Sequence, residues 1–301
     1  MEPSGVLIIN KQEGMTSHDV VNKIRRLYNT KRVGHTGTLD PMATGVLTVL
    51  IGRAAKAAEY LSADTKEYVA TLRLGLTTDT EDITGEVLTR SDSLPTYEQV
   101  MDAVKGFLGD IEQIPPMYSA LKVGGQKLCD LARKGVTIER KPRPITIYSI
   151  EATATDTPSD YILRVKCSSG TYIRTLCADI GSALGCGGVM ATLCRSCAGD
   201  FHLENAYTLS DIEAMSVDQK VSALLPVEEL FSDLPAVSLS EFFEKLSRSG
   251  CEIYQKKIGT AYPTGTRVRL CSANGKFYAL GEVKDYEQGA AIKSIKMFDI
   301  E

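Results

Sequence analysis

The sequence predicts an α+β fold: a mixed, mostly antiparallel sheet flanked by helices over residues 1–234, then a small β-rich domain over 235–301. Three observations carry this. Strand-like and helix-like segments follow one another in the first part without the strict alternation that a doubly wound parallel sheet requires. The last part is a series of short strands around Asn274-Gly275, a strong hairpin signal. With 301 residues, 43% of them hydrophobic, the chain is long enough to bury a sizeable core.

The elements follow in order. "GVLIIN" (5–10) is a buried strand. "MTSHDVVNKIRRLY" is a helix, with Thr16 and Asp19 as its capping box and Val20, Val21, Ile24, Leu27 and Tyr28 on one face. "GVLTVLIG" (45–52) is a strand and "RAAKAAEYLSA" a short helix. "KEYVATLRLG" (66–75) alternates as a strand does, with Tyr68, Ala70, Leu72 and Leu74 on one side. "TYEQVMDAVKGFLG" (96–109) is an amphipathic helix that stops at glycine. The stretch from 114, with its Pro-Pro and Gly-Gly, is an excursion from the sheet that ends near 145. "PRPITIYSIEATAT" and "DYILRVKCSSG" are strands. "TYIRTLCADIGSALG" (171–185) is a helix with Ile173, Leu176, Ile180 and Leu184 inward. "VMATLCRSCAGDFHL" is a strand, or a helical turn leading into one.

Composition limits the function. No apolar run approaches the ~20 residues of a membrane span. The first residues show no basic-then-apolar leader, so a cytoplasmic protein is expected. The eight cysteines include one C-x-x-C, Cys194 to Cys197, with no second pair at metal spacing. Reduced, buried thiols are therefore expected rather than a metal site. Net charge is −4, but it is segregated. Residues 1–56 hold eight Lys or Arg against four Asp or Glu. Residues 133–144 hold five against one, and residues 204–245 hold two against nine. A basic face can thus exist on an acidic chain.

The chemistry centres on "VGHTGTLDPMATGVL" (33–47). Proline holds the residue before it extended, and three glycines permit close backbone approach. Asp40 is thereby presented near His35, Thr36 and Thr38. Taken alone, such an aspartate is an Asx-turn residue, a nucleophile or a general base.

This loop resembles the catalytic loop of the TruB family of tRNA pseudouridine synthases. The likeness extends in order over roughly residues 5–205. "INKQEGMTSHDVV" is similar to the family's first motif. "KEYVATLRLGLTTDTEDITGEV" is similar to its second, with Tyr68, Leu74, Gly75, Thr78, Thr80, Asp82 and Gly85 in place. "SSGTYIRTLCADIG" supplies Tyr172 and Arg174. "LCRSCAGDF" matches the last motif, with Leu193, Arg195, Gly199 and Phe201 in place. "PPMYSALKVGGQKLCDLARKG" looks like an RNA-gripping insertion, and the tail after 235 loosely resembles a PUA-like RNA-binding domain. The chain departs from the pattern at Cys194 and Cys197, where further arginines are expected, and at Ala55, where threonine is expected. Lys56, the expected basic residue, is present.

The resemblance implies the pseudouridine synthase fold and isomerisation of uridine 55 in the T-loop of tRNA. It implies a catalytic trio of Asp40, Tyr68 and Arg174 and substrate-binding roles for His35, Tyr172, Leu193 and Lys56. His35 would fill the space left by the flipped base. Tyr68 would stack on the uracil and help remove the C5 proton. Arg174 would lower the pKa of Asp40. No metal, cofactor, membrane or obligatory protein partner is implied, and a monomer is expected. Lys11, Lys23, Arg25, Lys31 and Arg32, with Arg133, Lys134, Arg140, Lys141 and Arg143, form the expected phosphate-binding clusters. Competing readings are a non-catalytic RNA binder on the same fold, a guide-RNA-dependent relative and an aspartate-dependent hydrolase. The Asp40–Arg174 pair and the lack of a second catalytic carboxylate argue against the first and the last.

Overall fold

A computed structural model describes residues 3–61, 65–119 and 121–298. In chain order its first elements are β1 (Gly5–Lys11), α1 (Ser17–Leu27), β2 (Val33–His35), β3 (Thr44–Ile51), β4 (Lys66–Leu74), β5 (Leu76–Thr78) and β6 (Val87–Arg90). Then come α2 (Tyr97–Lys105), β7 (Gly109–Gln113), β8 (Lys122–Val123), β9 (Gln126–Lys127), α3 (Leu128–Ala132), β10 (Arg143–Ala154) and β11 (Asp160–Cys167). The core closes with α4 (Ile173–Ala183), β12 (Gly188–Ala198), β13 (Phe201–His202), α5 (Leu209–Ala214) and α6 (Val217–Ser222). A second sheet follows from β14 (Ala236–Ser238), α7 (Glu241–Arg248), β15 (Ile253–Tyr254), α8 (Gln255–Ile258), β16 (Arg267–Cys271), β17 (Phe277–Tyr286) and β18 (Gly289–Met297).

The main sheet has nine strands in the order β1-β3-β12-β4-β11-β10-β7, with β2 beside β3 and β13 beside β12. Its pairings are antiparallel except where β12 meets β3, at Cys194 opposite Thr44 and Arg195 opposite Gly45. The expected α+β class is thus the observed one. At that junction Gly45 has φ +100°, and a Cβ there would stand 2.3 Å from the Arg195 carbonyl oxygen, so the approach needs a glycine.

One face of the sheet carries α1, α2 and α4. The capping box of α1 forms as its sequence indicates: Thr16 Oγ1 accepts from the Asp19 N–H, and Asp19 accepts from the Thr16 N–H. Val20, Val21, Ile24 and Tyr28 then enter the core. Tyr68, Ala70, Leu72 and Leu74 line the buried side of β4. Residues 188–198, ambiguous in sequence, form a full strand held between β3 and β4. The short helix expected from "RAAKAAEYLSA" is a 3-10 helix, Gly52–Glu59, and the end of that stretch, 62–63, lies outside the described residues. Gly52 turns the chain at φ +64°, and a Cβ there would stand 2.3 Å from the Pro3 carbonyl oxygen, so the tight entry needs a glycine.

The opposite face of β1 and β3 packs on the second sheet, whose order is β14-β16-β17-β18-β15. Val6, Ile8, Val46 and Leu50 meet Phe231, Phe277, Leu280 and Phe298 there. The three phenylalanine rings lie 5.6–6.2 Å apart, at aromatic contact distance. The segment 114–142 leaves at Gln113 and returns at Arg143, which face each other in the β7–β10 pair. It is an excursion hung on one edge of the sheet.

Candidate active site

The loop between β2 and β3 presents Asp40, and both of its flanks are pinned. Ser17, buried at the start of α1, donates to the Leu39 carbonyl at 3.1 Å and accepts from the Leu39 N–H at 2.8 Å. The Pro41 carbonyl accepts from the Gly14 N–H at 2.8 Å and from Lys11 Nζ at 3.2 Å. A carboxylate with both neighbours fixed keeps its direction, which is what a reacting group needs.

Lys11 corrects an expectation. It is fully buried at the end of β1, and its ammonium donates to the Gln12, Met15 and Pro41 carbonyls. It therefore belongs to the loop's foundation and not to the phosphate-binding surface. Burial pulls its pKa down to about 8, against the attraction of Asp40.

Arg174 occupies the first turn of α4 and is 6% exposed, where Asp40 is 35% exposed. Its Nε and Nη2 meet the two Asp40 oxygens at 3.1 and 3.4 Å. Its Nη1 reaches Asp82 at 3.4 Å and the Thr80 carbonyl at 3.3 Å, and Nη2 also donates to the Tyr118 carbonyl at 2.7 Å. The guanidinium is thus fully engaged, and the carboxylate it holds still faces solvent. Asp82 is itself buried. Its Oδ1 accepts from Thr80 Oγ1, the Thr84 N–H and Thr84 Oγ1 at 2.6–2.9 Å.

The sequence indicated the Arg174–Asp40 pair but gave Asp82 no role. Its signal was the Thr/Asp-rich turn "TDTEDITG", the composition of side chains that bond their own backbone. The consequence for Asp40 also differs from expectation. Arg174 and Lys11 do lower its pKa, but desolvation is the larger influence and Asp82 adds repulsion, so the net direction is upward.

Tyr68 lies on β4 opposite Arg195 of β12. It is buried, and burial raises its pKa against the neighbouring Arg195 guanidinium. Arg195 is 2% exposed. Its Nε donates to the Val46 carbonyl at 2.7 Å and its Nη2 to the Gly37 carbonyl at 3.2 Å. It ties β12, β3 and the Asp40 loop together, a role absent from the sequence reading. Tyr172 stands at the N-cap of α4, within electrostatic reach of Asp40 and Arg174. Leu193 is buried on β12, and its carbonyl accepts from Thr44 at 3.4 Å.

His35 ends β2, where burial and Arg195 lower its pKa, and its buried Nδ1 has no hydrogen-bond partner among the described residues. Lys56 is exposed on the 3-10 helix. It lines one groove with Lys31, Arg32 and Arg53, and an adjoining one with Ser294, Ile295 and Lys296. All eight cysteines are free thiols. Cys197 is buried and Cys194 partly exposed, and no group of His, Cys, Asp or Glu among the described residues could hold a metal ion.

A mixed, mostly antiparallel sheet of this order is the pseudouridine synthase fold. Two solved structures share the architecture. A Cbf5-Nop10-Gar1 complex matches with a TM-score of 0.76 and 28% identity over 98% of this chain and 85% of that one. An H/ACA RNP bound to a substrate RNA containing 2'-deoxyuridine matches at 0.75 and 26%, over 98% and 85%. The chain belongs to the TruB family of pseudouridylate synthases, and it is an enzyme of that class. Residues 25–173 match the family's N-terminal domain, and residues 174–232 match the tRNA pseudouridylate synthase B C-terminal domain. A tRNA pseudouridine synthase B of Clostridium kluyveri is 41% identical over 98% of this chain and 99% of its own. One of Francisella philomiragia is 49% identical over 79% of each.

Proposed function

We propose that the enzyme isomerises uridine 55 in the T-loop of tRNA to pseudouridine, after flipping the base out of its stack, with Asp40 as the reacting carboxylate. One observation carries this most: Asp40 is the exposed member of a charge network whose other members, Arg174 and Asp82, are buried. In the reaction the bond from ribose C1′ to N1 breaks, the uracil rotates, C5 bonds to C1′, the C5 proton is released to solvent, and N1 takes up a proton in its place. There is no net redox change. Asp40 acts on the nucleotide once it is extruded, and extrusion costs a few kcal/mol. His35 fills the vacated space, its half-buried imidazole kept neutral by its lowered pKa. Tyr172 and Leu193 wall the pocket. Tyr68 stacks on the uracil. Because burial holds its phenol protonated, it takes the C5 proton while passing its own to water.

The RNA backbone follows the basic surfaces. Lys31, Arg32, Arg53 and Lys56 share a groove beside β2, the strand that ends at His35. The adjoining groove reaches Lys296 of β18, which is itself paired with Glu59. The excursion supplies Arg133, Lys134, Lys141 and Arg143. Residues 235–301 serve as a PUA-like RNA-binding domain on the far side of the Lys56 grooves. Action as a cytoplasmic monomer without an obligatory protein partner belongs to the same proposal.

The deciding experiment measures tritium released from tRNA labelled at uracil C5 and maps the modified position. Release with pseudouridine at another position would overturn the U55 assignment alone, and no release would overturn the whole reading. The basic grooves make a separate prediction. The logarithm of tRNA affinity falls linearly with log salt, and Lys31→Gln and Lys56→Gln each reduce the slope by about 0.7–0.9. A slope unchanged by both substitutions removes these grooves from the RNA path.

A further inference from the structure

We propose that Gln113 is a positioning residue of the active site: its side-chain amide fixes the backbone of Tyr172 and thereby the approach of Arg174 to Asp40. This rests on Asp40 being the reacting carboxylate.

Gln113 is the last residue of β7 and is 2% exposed. A buried primary amide needs partners for both its halves. Here both are the same residue's backbone: Oε1 accepts from the Tyr172 N–H at 2.8 Å, and Nε2 donates to the Tyr172 carbonyl at 3.0 Å. Those residues are 59 apart in sequence. Tyr172 is the N-cap of α4 and provides no side-chain cap of its own. Its carbonyl also accepts the first helical bond, from the Leu176 N–H at 3.0 Å. The Gln113 amide therefore holds both backbone groups of the N-cap residue and fixes where α4 begins.

Arg174 lies two residues into that start. Its contacts with Asp40, Asp82, Thr80 and Tyr118 span 2.7–3.4 Å, so a shift of a few tenths of an ångström at Tyr172 loosens several at once. Gln113 is also the root of the 114–142 excursion, and Tyr118, five residues further on, gives its carbonyl to Arg174. Gln113 thus acts on the arginine through Tyr172, and the inner limb of the excursion contacts it directly at Tyr118. The outer limb is tied to the inner one where Arg140 donates to the Pro115 carbonyl at 3.1 Å.

The test uses the full-length protein and single-turnover tritium release, with tRNA binding measured separately. Gln113→Leu keeps the volume and removes the amide. Its rate is expected to fall 10- to 100-fold while the Kd for tRNA changes less than 2-fold. The acid limb of its rate–pH profile moves to higher pH. Asp40 faces Arg174, Lys11, Asp82, Tyr68 and Tyr172, and a looser Arg174 leaves desolvation and Asp82 less opposed. In an Arg174→Lys background Gln113→Leu costs little more, because Gln113 acts through Arg174. An unchanged rate, an unmoved acid limb, or costs that multiply in the double variant would overturn the proposal.

Should Gln113→Leu fail to fold, Gln113→Glu decides. Its ionised form accepts from the Tyr172 N–H but opposes the carbonyl, and its protonated form restores the donor. Its rate relative to the wild type therefore rises as pH falls; a flat ratio sinks the idea. Asp40→Asn, assayed alongside, separates the two levels. If it is inactive while Gln113 variants behave as wild type, only the positioning role fails. If it is active, the reading of Asp40 fails and Gln113 falls with it.

Discussion

Asp40→Asn is expected to lower tritium release from C5-labelled tRNA by about 10⁴-fold or more, the scale lost when a reacting group is removed. Asparagine has the shape of aspartate and can still accept from Arg174, so the pinned loop has no reason to move. What disappears is the charge and the basicity. Affinity for tRNA, set by phosphate contacts elsewhere, is expected to change by less than about 3-fold. A variant that bound tRNA as the wild type does and still released tritium would remove Asp40 from the chemistry.

The same substitution makes an unusual stability prediction. Two carboxylates, Asp40 and Asp82, share the Arg174 guanidinium. The folded-state pKa of Asp40 is raised above its unfolded value, so the folded protein binds that proton more tightly than the unfolded chain does. The group therefore takes nothing from stability below the ordinary carboxylate pKa, and its full penalty is present once pH has risen past the folded value. Asp40→Asn removes that penalty and leaves Arg174 with one buried carboxylate. Its melting temperature at pH 7 is expected to be equal to or above that of the wild type, a trade of stability for function. The advantage should shrink as pH falls and vanish below the ordinary carboxylate pKa. For the wild-type enzyme, the raised pKa places the acid limb of activity above the usual aspartate range.

The sheet elements were legible because their patterns are local. Period-two alternation named the buried side of β4, and a Thr-x-x-Asp box named the start of α1. Residues 188–198 were ambiguous because a strand buried between neighbours lacks clean alternation, and only pairing with β3 and β4 settles it. In the candidate site, motif likeness singled out Asp40, Tyr68, Tyr172 and Arg174, and the fold brings Arg174 onto Asp40. The likeness could not show what holds them. Lys11 looked like one more cation in a basic stretch, yet three carbonyls surround its ammonium. Gln113, Ser17 and Arg195 act through backbone atoms 22 to 158 residues away, and such contacts leave no spacing to read. The direction of the Asp40 pKa was missed for a related reason. An arginine is visible in a sequence, whereas the desolvation that outweighs it exists only in the folded protein.

Arg174 separates structure from chemistry, because its two conservative losses should diverge. Arg174→Met keeps the aliphatic stem but leaves Asp40 and Asp82 facing each other without their cation. Arg174 and Asp82 are both buried, and breaking such a pair costs about 3–5 kcal/mol. Repulsion between the two carboxylates adds to it only while Asp40 is ionised, so the loss of melting temperature is expected to be smaller at pH 5 than at pH 8. Activity should fall by about 10³-fold. Arg174→Lys restores a positive charge but not the fork. One ammonium cannot span both Asp40 oxygens while also reaching Asp82 and the Thr80 and Tyr118 carbonyls. Its melting temperature is expected to recover most of the deficit, while single-turnover tritium release stays about 10²-fold below wild type. If lysine restored the rate together with the stability, charge alone would suffice and the fork geometry would be irrelevant to the reaction. If it restored neither, Arg174 would be needed to build the site, and no separate part in orienting Asp40 could be claimed for it.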